Sequence, residues 1–500
     1  MNIHSFLEHH GILRNPFAEE DAQTDPVFKE HCISSAFHPI WDKVYGDPHE
    51  PATSIIFGPK GSGKTAMRLQ VDQHLSRYSE EHPDKRVYVI RYDDFNPFLD
   101  HFCERMNRRT SKKVEKVLES WRLWDHMDSI LCLGVTDLVD RIVDGADRPA
   151  SEAITTAQVR SLDRTAARDL LMLAACYDQS TALSFSKRWN LLRRTLRYGN
   201  LTTKWSFPFA VLCFIGSIAL VAWMFLRERA EDAEPVSLNV LWLVPLITLV
   251  GSLPYLINWI KCQFAAIGIR RHMRVGKRET SELRRTLQRI PSRELASQPL
   301  PRYDRTDDRY ELLNKFQSIL NRLGFSGVVV LMDRVDEPHM TGGKPELMQR
   351  FVWPLLDNKL LKHPGIGFKI MLPQELHRDV ERETREFHER ARLDKQNVIP
   401  AFQWTGESLY DLARARMLAC AAEGQSPEPR DLFAADLSYE RMLSAFQSLR
   451  VPRHLFRFLY RVLVDHCNRH TDAQPEFKIK AETFESALAV YTRESDVIQN

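Results

Sequence analysis

The stretch SIIFGPKGSGKTAMRLQ, residues 54–70, constrains the fold of this chain more than any other. Its centre, Gly58-Pro59-Lys60-Gly61-Ser62-Gly63-Lys64-Thr65, satisfies G-x-x-x-x-G-K-[ST], the pattern of a phosphate-binding loop set between a strand and a helix. The preceding ATSIIF is a β-branched apolar run suited to a buried strand, and the following TAMRLQVDQHLSRY carries Met67, Val71 and Leu75 at helical spacing. Glycines let the backbone wrap closely around a phosphate, and the start of the helix directs unpaired N–H groups at it. Lys64 is expected to reach the β- and γ-phosphates, and Thr65 to place its hydroxyl on a magnesium ion. The alternative is an ordinary glycine-rich strand-to-helix turn, which would not require both flanks to be correct.

Such a loop needs an acid at the end of a neighbouring buried strand, for the metal, and a base that orients the attacking water. The segment GVVVLMDRVDE, residues 327–337, offers an apolar strand followed by Asp333, Asp336 and Glu337. Asp333 is the candidate on the metal side, and Glu337 or Asp336 the candidate base. A buried strand with a solvated acidic end is the other reading. More than 260 residues separate Thr65 from Asp333, far beyond the roughly thirty residues of one strand–helix–strand unit, so the chain carries an insertion between the two halves of its site.

That insertion contains FPFAVLCFIGSIALVAWMFL (207–226) and LNVLWLVPLITLVGSLPYLINWI (238–260), two runs without charge. About twenty residues of helix cover the roughly 30 Å hydrocarbon core, so these runs predict a two-helix transmembrane hairpin. Trp205, Trp223, Trp242 and Trp259 near the ends match interfacial aromatics. The link RERAEDAEPVS carries four acids against two arginines, whereas KRWNLLRRTLRYGNLTTK and KCQFAAIGIRRHMRVGKR carry only bases. The positive-inside rule then puts both long flanks and both termini in the cytoplasm, and the whole in the inner membrane as a multi-pass protein. The basic flanks could also grip anionic lipid heads. The other reading of the two runs is a buried helical hairpin.

Five hundred residues with 43% hydrophobic content allow two or more cores. A net charge of +3 does not indicate nucleic acid. The eight cysteines show neither CxxC nor zinc-finger spacing and read as reduced structural thiols. MNIHSFLEHHGILRNPF lacks the basic and apolar regions of a secretory leader. Residues 85–95, 365–373 and 397–404 read as further strands, 98–204 as helical, and 297–308 as a linker. The expected order is an N-terminal core portion with the loop (1–97), a helical insert (98–204), the hairpin (205–260), a basic helical return and linker (261–308), the second core portion (309–404) and an all-helical lid (405–500).

The D-x-x-D-E form of LMDRVDE resembles that of STAND-class ATPases, NACHT modules included, within the wider AAA+-like group. An apolar hairpin between the two motifs instead resembles the KAP family of P-loop ATPases. The resemblance implies an α/β P-loop NTPase core with a parallel sheet flanked by helices, binding ATP and Mg2+. The chain departs from KAP proteins in having Arg334 after Asp333, and from STAND proteins in showing no repeat array. By the same resemblance RVPRHLFRFL looks like the opening of the lid helix, where Arg453 would touch the γ-phosphate. Behind Pro452, Arg453 also fits an exposed helix start. Arg392 in RETREFHERARLDKQ is the candidate arginine from a neighbouring subunit, although a solvated helical face explains that segment better. NPFAEEDA (15–22) would lie near the adenine.

These readings converge on a membrane-anchored, magnesium-dependent ATPase acting as a conformational switch or organiser, with bacterial signalling or phage defence as settings that the resemblance implies. It would act with a homo-oligomer or a protein partner. The alternatives are a nucleotide-binding scaffold without turnover and an ATP-energised transport or channel component; neither apolar run carries the charge that marks an ion path.

Overall fold

Short runs rich in Val, Ile and Phe alternate with helices in the first and last parts of the chain, and these runs assemble into one sheet. The computed structural model describes residues 1–106, 113–144, 148–149, 151–199, 201–228, 238–356, 359–391, 393 and 397–499, with side chains omitted at 201–207, 224–225, 227–228, 238–245 and 495–499. The chain forms two compact units, one of Met1–Phe95 with Ser326–Asn500 and one of Asn96–Phe325.

In the first unit, strands β1 (Ser54–Gly58), β2 (Arg86–Tyr92), β3 (Phe325–Met332), β4 (Ile366–Pro373) and β5 (Asn397–Ile399) lie in the order β2-β3-β4-β1-β5. β1 runs parallel to β4 and β5, with Ile56 opposite Met371 and Ile399, and β3 runs parallel to β4. All five residues of β1 are buried, as an apolar run covered on both faces must be. The expected strand at 397–404 is shorter: it ends before Pro400, which has no N–H to give a ladder, and the following segment returns to the sheet where the Phe402 N–H donates to Phe57 O at 2.8 Å. Helix α1 (Lys64–Glu81) buries Met67, Val71 and Leu75 and packs on β2 and β4. Helices α2 (Gly406–Ala419) and α3 (Pro452–Arg469) share one apolar core with Phe6, Phe17, Met67 and Val329, so the segment expected as a separate lid belongs to the same unit as the sheet.

The second unit is helical. Helices Leu123–Val143, Arg164–Tyr177 and Asp307–Arg322 pack together, and Thr280–Leu287 packs on Arg164–Tyr177. The expected insert and the expected return therefore form one body. At its centre the fully buried Arg309 pairs with Asp128 at 3.1 Å, and the Tyr177 hydroxyl donates to Asp128 at 2.8 Å.

The transmembrane hairpin is corrected by the structure. Among the described residues no helix is long and apolar enough to cross a membrane. Helices Leu201–Glu228 and Leu238–His272 do pack against each other, and the Thr248 hydroxyl donates to that of Ser217 at 2.7 Å. The side chains of Trp205 and Trp242, and most of the acidic link, lie outside the described residues. The basic return is also engaged within its own unit. Arg274 pairs with the buried Asp125 at 2.5 Å, and the buried Arg278 guanidinium lies 3.7 Å from the Phe185 ring centre. The expectations of two spans and of a multi-pass inner-membrane location with cytoplasmic termini do not hold on this finding, and a bilayer partner loses the spans on which it rested.

Candidate nucleotide site

The loop after β1 is shaped by close neighbours as much as by its glycines. Gly61 has φ +81° and Gly63 φ +97°, backbone that side chains other than glycine's rarely adopt. A Cβ on Gly61 would stand 2.7 Å from Arg453 Cβ, and one on Gly58 would stand 2.8 Å from both Phe402 Cβ and Ser62 Oγ. The Lys64 ammonium donates to Gly58 O at 2.6 Å and Pro59 O at 2.9 Å, closing the loop on itself. Burial holds the Lys64 pKa below its ordinary value, opposed by Asp333, Asp336 and Glu375. From the far side the Trp404 indole donates to Ser62 O at 2.8 Å, and the His38 ring packs 4.3 Å from that of Phe402.

Asp333 follows the last residue of β3. The expected adjacency of its strand to β1 does not hold, because β4 lies between them. Helix α1 bridges that gap by crossing the sheet, and the Thr65 hydroxyl at its start donates to Asp333 Oδ2 at 2.9 Å. The two residues stand 268 positions apart in the chain. Asp333 is buried, and desolvation raises its pKa against the pull of Thr65, Arg68, the Arg334 N–H and Lys64.

Lys60 lies 3.5 Å from Asp336. Arg334 adopts φ +62°, a left-handed conformation, and its guanidinium stands 3.4 Å from Glu337 while also bonding Gln23. Glu337 is the more exposed acid, with 57% of its side chain accessible against 24% for Asp336. Its pKa is raised, chiefly by partial desolvation, with Arg334 opposing and Asp336 and Asp333 reinforcing. The Arg453 N–H donates to Gly61 O at 3.3 Å, and its Nε is buried without a partner among the described residues. Arg392 lies outside the described residues.

Two charged residues escaped sequence reasoning. Arg68, one turn into α1, pairs with Asp93 at 2.5 Å and lies 3.5 Å from Asp333, so it ties the carboxyl ends of β2 and β3 together. Asp93 does carry a sequence signal, since it directly follows a strand-like run and ligands gather at the carboxyl ends of parallel strands. Nothing local distinguishes Arg68 from an exposed helical arginine.

Most of these side chains line one cavity of about 360 Å³; Gln23, Arg68, Asp93, Glu375 and some loop positions are not among its lining residues. Its lining combines the polar Lys60, Lys64, Thr65, Asp333, Asp336, Glu337 and Arg453 with the apolar Phe28, Cys32, Met67, Leu412 and Phe456. A lining of both charged and apolar side chains suits a ligand with charged and flat parts. Arg453, a lining residue, has a buried Nε without a partner among the described residues, a donor that an anion at the loop would suit. No cluster of three or more His, Cys, Asp or Glu side chains able to hold a metal occurs among the described residues. Magnesium is compatible with that, since it is commonly held by one or two protein oxygens together with phosphate and water; Thr65 and Asp333 would supply them here. No family model, no curated protein and no solved structure matches this chain.

Proposed function

We propose that this protein is a magnesium-dependent ATP hydrolase whose first unit works as a nucleotide-driven conformational switch. The observation that carries the reading is the Thr65–Asp333 hydrogen bond at 2.9 Å, which joins the phosphate-loop helix to an acid from a distant part of the chain in the lining of the cavity. In this reading the loop N–H groups and Lys64 hold the β- and γ-phosphates, with Lys64 exchanging its bonds to Gly58 and Pro59 for phosphate oxygens. Magnesium, when bound, neutralises charge building up on those oxygens. Thr65 and Asp333 orient it, and Glu337 or Asp336 holds the attacking water. Arg453 lies against the loop at the start of α3, so loss of the terminal phosphate would be felt by that helix first. The likeness of LMDRVDE to STAND-class ATPases supports the reading at the level of the motif. A switch also needs a partner that favours one state over the other.

Release of phosphate by the purified full chain tests this. Wild type should release it, and Lys64→Ala and Glu337→Gln should fall by about 100-fold or more; equal release by all three removes hydrolysis from the account. Binding without turnover is the second reading, favoured by the engagement of Glu337 with Arg334. Tight ATP binding with no phosphate release by wild type would select it.

A further inference from the structure

Asp25 is 1% exposed and is among the residues that line the cavity. One of its oxygens, Oδ2, accepts from Arg416 at 2.5 Å, while the other, Oδ1, is buried and has no partner among the described residues. The carboxylate is not free to turn away. Arg416 Nε is committed to Pro16 O at 2.6 Å, and the guanidinium lies 4.4 Å from the Phe456 ring centre. A buried carboxylate oxygen left without a donor is costly, and such groups in native structures generally find one in a ligand or water.

We infer that this cavity takes the base of a 6-aminopurine nucleotide and that Asp25 Oδ1 selects it by accepting from the exocyclic amine. The inference rests on the nucleotide reading above and adds the residue that would read the base. Phe28 and Leu412 supply apolar walls for a flat ring, and they cannot distinguish one purine from another. A fixed acceptor can. Adenine offers an N–H donor at position 6, whereas hypoxanthine and guanine offer a carbonyl oxygen there, which a carboxylate repels. Contacts to the phosphates set no such preference, because every nucleotide carries the same phosphates.

The test is calorimetric binding of ADP, IDP and N6,N6-dimethyl-ADP, each with magnesium, to the full chain. Wild type should bind ADP about 10- to 100-fold more tightly than either analogue, the range expected for one hydrogen bond to a charged group. In Asp25→Asn the amide oxygen can still accept from Arg416 while its NH2 faces the base. The ADP-to-IDP ratio should then fall by at least about 10-fold, with IDP binding retained as evidence of a folded site. Wild type binding all three within twofold, or an unchanged ratio in Asp25→Asn, would overturn the role of Asp25 and leave nucleotide binding standing. Absence of any nucleotide binding by wild type would remove both. If Asp25→Asn does not fold, the wild-type series with the dimethyl analogue decides alone.

Discussion

At the scale of single residues, the site divides between groups that spacing reveals and groups that only packing reveals. Gly58 to Thr65 were legible because a phosphate loop is a contiguous object, and Asp333 because an acid ending a buried apolar run is unusual. Asp25, Arg68 and Trp404 gave no such sign, since each acquires its role from a residue far along the chain: Arg416, Asp93 and Asp333, and Ser62. Asp336 and Glu337 remain two candidates for one task, and their environments differ enough to separate them. If Glu337 is the base, Glu337→Gln should abolish phosphate release while Asp336→Asn, which loses the contact to Lys60, should cost less than about 10-fold; a reversed order assigns the base to Asp336. The raised pKa of Glu337 also has a signed consequence. A base must be ionised to act, so if Glu337 is the base the acid limb of the wild-type rate should lie above that of an ordinary glutamate and should persist in Asp336→Asn.

At the scale of elements, the loop is held between α3 on one side and the segment after β5 on the other. Gly61→Ala forces a side chain into left-handed backbone and against Arg453, so it should destabilise the first unit by about 1–3 kcal/mol and weaken nucleotide binding as well. Urea midpoints and titration of the same variant would check both effects; an unchanged midpoint would mean that α3 yields freely. Trp404→Phe keeps an aromatic ring but loses the indole's second ring and its bond to Ser62 O, the bond alone being worth about 1 kcal/mol. Strand identities were legible from apolar runs, yet their order was not. Nothing in the sequence says that β4 intervenes between β1 and β3, because lateral neighbours in a sheet are chosen by helix crossings. The apolar runs at 207–226 and 238–260 were legible as long helices, while their role was misjudged from uncharged length, and the bases beyond them are spent partly on Asp125 and Phe185.

For the whole molecule, stability should respond to pH through a lysine remote from the chemistry. Lys369 lies in β4 with 1% exposure, donating to Tyr45 O at 3.1 Å and Ala52 O at 2.8 Å, and burial lowers its pKa from 10.5 to about 8. Between those two values the unfolded chain binds more protons than the folded one, so this group makes stability rise with pH across that window. Its unfavourable contribution is fully present below about pH 8, at most about 3 kcal/mol. Lys369→Met should flatten the slope of the urea midpoint between pH 8 and 10.5; an unaltered slope would refute the assignment. Magnesium and ATP at 100 times the dissociation constant should add about 2.7 kcal/mol to the folded state, readable as a rise in melting temperature that Lys64→Ala lacks. One last consequence concerns biosynthesis. The Ser326 hydroxyl donates to Lys85 O at 3.1 Å, so the starts of β2 and β3 lie side by side although residues 96–325 intervene. At about 5–20 residues per second a ribosome needs roughly 10–50 s to make that stretch. For that time β1 and β2 wait with unpaired edges, so the nascent protein depends on a chaperone, or on early folding of the helical body, to keep them from other chains.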